Sequence, residues 1–150
     1  MLLLTMTEQA HQLIDALLAL VLLTFAVGGL VLFNRVSEMR AKRIHPQAAS
    51  TSVKMAARLE NVQAADNFRN LFEVPVMFYA LCAVALATHH TPGWLVTGAW
   101  LFVALRLVHS VIHCSYNRVM HRLAAFMAGF VLLVGLWVGL VLSLPAANVV

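Results

Sequence analysis

The chain has 150 residues, of which 62% are hydrophobic and only 11% charged, with a mean hydropathy of +0.87. Soluble domains are roughly half apolar and a quarter charged, so this composition excludes an ordinary soluble protein and points to an integral membrane protein. The net charge of +4 does not mark a nucleic-acid partner. The basic residues sit between apolar runs, as membrane topology requires, and are not interleaved with exposed aromatics.

Residues 1–7 lack the positive stretch of a cleavable signal, so the first apolar run is expected to be a retained span. Four apolar segments, about 13–33, 68–87, 94–112 and 123–144, each come close to the ~20 residues that a helix needs to cross hydrocarbon. A spanning backbone must satisfy its own polar groups, and the alternation of a barrel is missing, so these segments are helices. The predicted fold class is an all-α membrane protein. It is one four-transmembrane-helix bundle over residues 1–150, with lipids as its surroundings.

The first connection is the longest. Pro46 keeps His45 out of the helical region and ends the first helix. Ser50, Thr51 and Ser52 are candidate N-caps. Few breakers occur from Val53 through Asn67, which predicts a second helix that begins well outside the membrane and enters near Phe68. Pro75 removes a backbone donor and crowds the carbonyl of Leu71, so a kink is expected there. The third helix is bounded by Pro92-Gly93 and by Ser115-Tyr116-Asn117-Arg118, and the fourth ends before Pro145. Gly135 and Gly139 have the small-xxx-small spacing of a tight helix contact.

Arg35, Arg40, Lys42, Arg43, Lys54 and Arg58 fall in the first connection, and Arg118 and Arg122 in the third. The Thr91-Pro92-Gly93 turn and both termini carry no Lys or Arg. Basic loops stay on the cytoplasmic side, so both termini are expected outside. The short loops and missing targeting segment suit a bacterial inner membrane. Cys82 and Cys114 lie in or beside apolar runs without a CxxC spacing, and read as small buried side chains.

Two polar stripes interrupt the apolar runs. Asp66, Arg69, Asn70 and Glu73 are three and four apart, as are Arg106, His109 and His113. Charge inside a bilayer is costly, so both stripes are expected to face the protein interior. Antiparallel second and third helices put Glu73 and Arg106 at similar depths, which predicts an ion pair between them. Arg122 falls at the start of the fourth helix, where free amide donors and the helix dipole favour an anion or an ionising thiol. A cytoplasm-facing pocket formed by three helices follows. His109 and His113 could share a metal, but no third ligand lies on their stripe, so no metal site is predicted.

The run Arg69-Asn70-Leu71-Phe72-Glu73-Val74-Pro75, with Arg106-Leu107-Val108-His109-Ser110 and the Arg118 and Arg122 spacing, resembles the MAPEG family, membrane-associated proteins of eicosanoid and glutathione metabolism. The resemblance runs from about residue 53 to 144. It implies a homotrimer with glutathione as cosubstrate, bound between subunits by Arg69, Asn70, Glu73, His109 and, late in the third helix, His113. It implies that Arg122 is the catalytic residue, stabilising the thiolate for a transferase or peroxidase acting on lipophilic small molecules. His113, Leu123 and Phe126 replace polar or aromatic residues of the prostaglandin-forming branch, so prostaglandin synthesis is not expected. The alternative is a non-catalytic family member, a lipid- or partner-binding scaffold. A proton or ion pathway is disfavoured, because the stripes cluster at one membrane face.

Overall fold

The computed structural model describes residues 7–144, apart from the side chains of Ser52 and Ala56. Pro145 and most of the N-terminal segment read above lie outside the described residues. Helix α1 spans Glu8–Ala41. A 3-10 turn at Pro46–Ala49 and a short α2, Ser52–Ala56, follow. Then come α3 (Gln63–Asn70), α4 (Val74–Ala87), α5 (Gly93–Cys114) and α6 (Val119–Ser143). Among the described residues, four stretches are long and apolar enough to cross a membrane: α1, α3 with α4, α5 and α6.

Helix α1 is longer than expected. Its 34 residues reach about 51 Å at 1.5 Å per residue, well beyond a ~30 Å hydrocarbon core. Nothing breaks the helix before Lys42, so Arg35 and Arg40 ride on its end instead of lying in a loop. Thr7 caps its start by accepting from the Ala10 N–H at 3.2 Å.

The second span is not the single helix that its lack of breakers predicted. It is interrupted twice. Glu38, on the overhang of α1, accepts the N–H groups of Glu60 at 2.8 Å and Asn61 at 3.1 Å. Those amides are lost to a helix ladder, so the chain opens between α2 and α3. Lys42 completes the clasp, with its ammonium 2.7 Å from Glu38 and 2.8 Å from Glu60. The second interruption lies at Leu71–Glu73, where Pro75 called for a kink. There the amides of Phe72 and Glu73 bond three residues back, to Arg69 and Asn70, which tightens the last turn of α3. Glu73 becomes the N-cap of α4, with φ −101° and ψ −97°.

The core lies between α1, α4, α5 and α6. Leu13, Leu20, Leu81, Leu95 and Leu140 are wholly buried in it, around stacked Phe78 and Phe102 rings 4.8 Å apart. The α5–α6 pair is the closest-packed. An ideal Cβ on Gly98 would run into the Leu136 side chain, and one on Gly139 would come within 2.9 Å of Trp94. Gly135 meets nothing within 4 Å, so the close approach uses Gly98, Gly129 and Gly139 in place of a Gly135–Gly139 pair. Cys82 is fully buried, and Cys114 is half-buried; both are free thiols.

Candidate functional site

The α5 stripe faces α6. Arg106 is 1% exposed. Its Nη2 donates to the Phe126 carbonyl at 3.1 Å, and its guanidinium carbon stands 5.3 Å from the Phe102 ring centre and 5.0 Å from that of Phe126. Gly129 makes the room: a Cβ there would lie 2.8 Å from Arg106 Nη2. Within the chain Arg106 therefore crosses α6 and forms no ion pair with Glu73, contrary to expectation. Aromatic faces and one carbonyl take the place of the missing carboxylate.

His109 and His113 are also buried, with rings 5.5 Å apart, edge to face. His109 Nδ1 lies 3.1 Å from the Arg122 carbonyl. A carbonyl only accepts, so Nδ1 carries the proton. His113 Nε2 lies 2.8 Å from Arg122 Nη1, and Asn117 Oδ1 accepts from the same nitrogen at 2.8 Å. The two histidines thus hold Arg122 by backbone and side chain together. Arg122 itself is half-buried in the first turns of α6. Buried Arg106 Nε, His109 Nε2 and His113 Nδ1 have no partner among the described residues.

The second stripe runs the other way. Ala64 and Asn67 on α3, and Leu71 at its C-cap, face inward, at 2%, 0% and 2% exposure. Asn67 Oδ1 accepts from the Ser110 hydroxyl at 3.4 Å, and its Nδ2 donates to Cys114 Sγ at 3.4 Å, which ties α3 to α5. Asp66, Arg69 and Glu73 are exposed and Asn70 is half-buried, so this stripe looks out of its own chain. The inward expectation fails for a geometric reason. A helix with a polar residue on each side buries the smaller uncharged set, and the break at Leu71–Glu73 takes Glu73 off the α3 register. Arg69 pairs weakly with Asp66 at 3.8 Å. Both line a cleft of about 250 Å³ with Arg35 of α1, which was read only as an orientation signal.

A family model described as MAPEG matches residues 13–142. The chain belongs to the MAPEG family. The match covers nearly all the described residues and agrees with the four apolar spans, so the chain is a multi-pass integral membrane protein with the family's four-helix bundle. No curated protein and no solved structure matches it.

Set against the family signature, the structure brings Arg122, His109 and His113 together and adds Arg106 and Asn117 to them. Within one chain, Arg69, Asn70 and Glu73 stand apart from that group. Sequence reading missed Asn117, whose place in a polar turn signalled a helix end and no more. It also missed Asn67, which falls between Asp66 and Arg69 of the polar stripe but on the opposite face. Among the described residues no cluster of three His, Cys, Asp or Glu side chains could hold a metal ion.

Proposed function

We propose that the protein is a glutathione-dependent membrane transferase, acting on lipophilic electrophiles that enter from the bilayer. The observation that carries this reading is Arg122: a half-buried residue at the start of α6 whose guanidinium bonds, among the described residues, only to neutral acceptors. A cation in that state favours the ionised form of a nearby thiol, and a free thiol near pKa 8.5 is otherwise mostly protonated at neutral pH.

The outward stripe supports the second part of the reading. Arg69 and Glu73 lie in a candidate span and are exposed on their own chain. A charge facing lipid costs about 2.5–3.5 kcal/mol at the centre of a bilayer, less toward its edges. A second copy of the chain is the economical cover, and a homotrimer with the ligand between subunits satisfies it. Arg69 then meets a ligand carboxylate, Asn70 its amide groups, and Glu73 its α-ammonium. His109 and His113 act from behind, through Arg122. The basic ends of α1 and α6 face the cytoplasm, where thiols are kept reduced.

In the reaction, the thiol proton is released to water as glutathione binds beside Arg122. The thiolate sulfur forms a bond to the electrophilic carbon, and the leaving group departs with the electron pair. Purified protein should conjugate glutathione to a chlorinated aromatic electrophile, and Arg122→Ala should do so about 10²-fold more slowly. Equal rates in the two would remove Arg122 from the mechanism.

A further inference from the structure

A cation in a membrane protein is commonly held by a carboxylate, which fixes its position and offsets its field. Arg122 is held otherwise. Its Nη1 donates to His113 Nε2 and to Asn117 Oδ1, each at 2.8 Å. A guanidinium can only donate, so His113 presents a bare Nε2 and carries its proton on Nδ1. Both partners are neutral. The ion pairs among the described residues are Glu38–Lys42, Lys42–Glu60 and Asp66–Arg69, and none includes Arg122. Its Nε and Nη2 make no bond to the protein among those residues.

The two acceptors arrive from different directions. His113 is 2% exposed and comes from inside the bundle, on the last turn of α5. Asn117 comes from the turn that follows. Its φ is 47°, a left-handed conformation that Asn adopts more readily than most side chains. Its N–H closes that turn onto the Ile112 carbonyl at 2.9 Å. The left-handed backbone and the arrival of Oδ1 at Arg122 are therefore one local structure.

We propose that Asn117 and His113 are positioning residues that fix the Arg122 guanidinium through a single nitrogen, leaving Nε, Nη2 and an undiminished positive charge for the anionic sulfur of the thiol substrate. The proposal deepens the glutathione reading and rests on it. Neutral acceptors orient the cation at small cost to its field, whereas a carboxylate in either place would cancel much of it.

Two substitutions at one position separate this role from simple turn closure. Asn117→Gly keeps the left-handed backbone and deletes the acceptor. Asn117→Asp keeps both the backbone preference and the acceptor but adds a negative charge. The readout is the pH titration of thiolate absorbance when glutathione is added to the detergent-solubilised full-length protein. The midpoint should rise by about one pH unit in Asn117→Gly, which is roughly tenfold less thiolate below the midpoint, and further in Asn117→Asp. His113→Gln, a neutral acceptor, should stay closer to wild type than His113→Leu. Wild-type midpoints in both Asn117 variants would overturn the proposal.

A second readout needs no ligand. In a ¹⁵N spectrum of the guanidinium groups, the braced Nη1 of Arg122 should be resolved from Nη2 in wild type, and the two should average in Asn117→Gly. If the wild-type protein ionises no added thiol, the glutathione reading fails, and this spectrum decides the bracing alone. Identical spectra in wild type and Asn117→Gly overturn it.

Discussion

The polar stripes of α3–α4 and of α5 have the same helical spacing and opposite fates. Arg106, His109 and His113 are each at most 3% exposed and are served by α6, which returns over them after a short turn. Arg69 and Glu73 are exposed: among the described residues no element covers them. The difference teaches that a periodic polar stripe identifies a face without saying what covers it. One stripe is completed by the chain itself and builds the support for Arg122. The other is left exposed on its own chain.

The largest expected effect bears on the self-contained side. Arg122→Ala should lower the conjugation rate by about 10²-fold, the usual cost of removing one preorganised electrostatic group, while its fold survives. Steady-state kinetics against wild type measures it. If Glu73→Gln were the more damaging of the two, the weight of the site would lie on the outward stripe instead.

Gly129 tests the burial of Arg106. Gly129→Ala places a methyl 2.8 Å from a pinned guanidinium nitrogen, and should destabilise the protein by about 1–3 kcal/mol, as overpacking does. Gly135→Ala, with open space around it, should stay within about 0.5 kcal/mol of wild type. Thermal unfolding in detergent compares them, and equal losses would mean that Arg106 moves aside freely.

Glu73→Ala tests the other side. It should leave secondary structure intact and weaken association between copies, seen by analytical ultracentrifugation in mild detergent. Unchanged association would leave the outward stripe without the neighbour inferred for it.

The smallest effect concerns the clasp beneath the first connection. Glu38→Gln should speed proteolytic cutting in residues 57–62 without loss of activity. Lys42 is raised above the usual ammonium range, first by its hydrogen bond to Glu38 and next by that to Glu60. A cation with a raised folded-state pKa stabilises fully below its unfolded value, near ~10.4, and that contribution fades as pH climbs through the raised one. Resistance to cutting should therefore persist through neutral pH and drop in strong alkali, as well as in acid that protonates the carboxylates of the clasp.

Much of this was legible in the chain. Each apolar run became a span, and Pro75 marked a true interruption. The break between α2 and α3 was not legible, because it depends on Glu38 reaching across 22 positions to take the amide of Glu60. The Glu73–Arg106 pair failed because depth alone does not say which way a side chain turns. The room that Gly129 gives Arg106 shows only once α5 and α6 are packed. Arg122 was legible as a cation at a helix start and His113 as a residue of its site, but their direct bond and the part of Asn117 were not, since that convergence is a property of the turn between two helices.

The most direct trial of the central claim is calorimetric titration of the purified full-length protein with glutathione, beside Arg122→Ala and Arg69→Ala. The account predicts saturable binding by wild type, with protons released to the buffer. Arg69→Ala should bind more weakly, and Arg122→Ala should bind without proton release. Absence of saturable heat from wild type would contradict it and favour a family member that binds lipids or protein partners without chemistry.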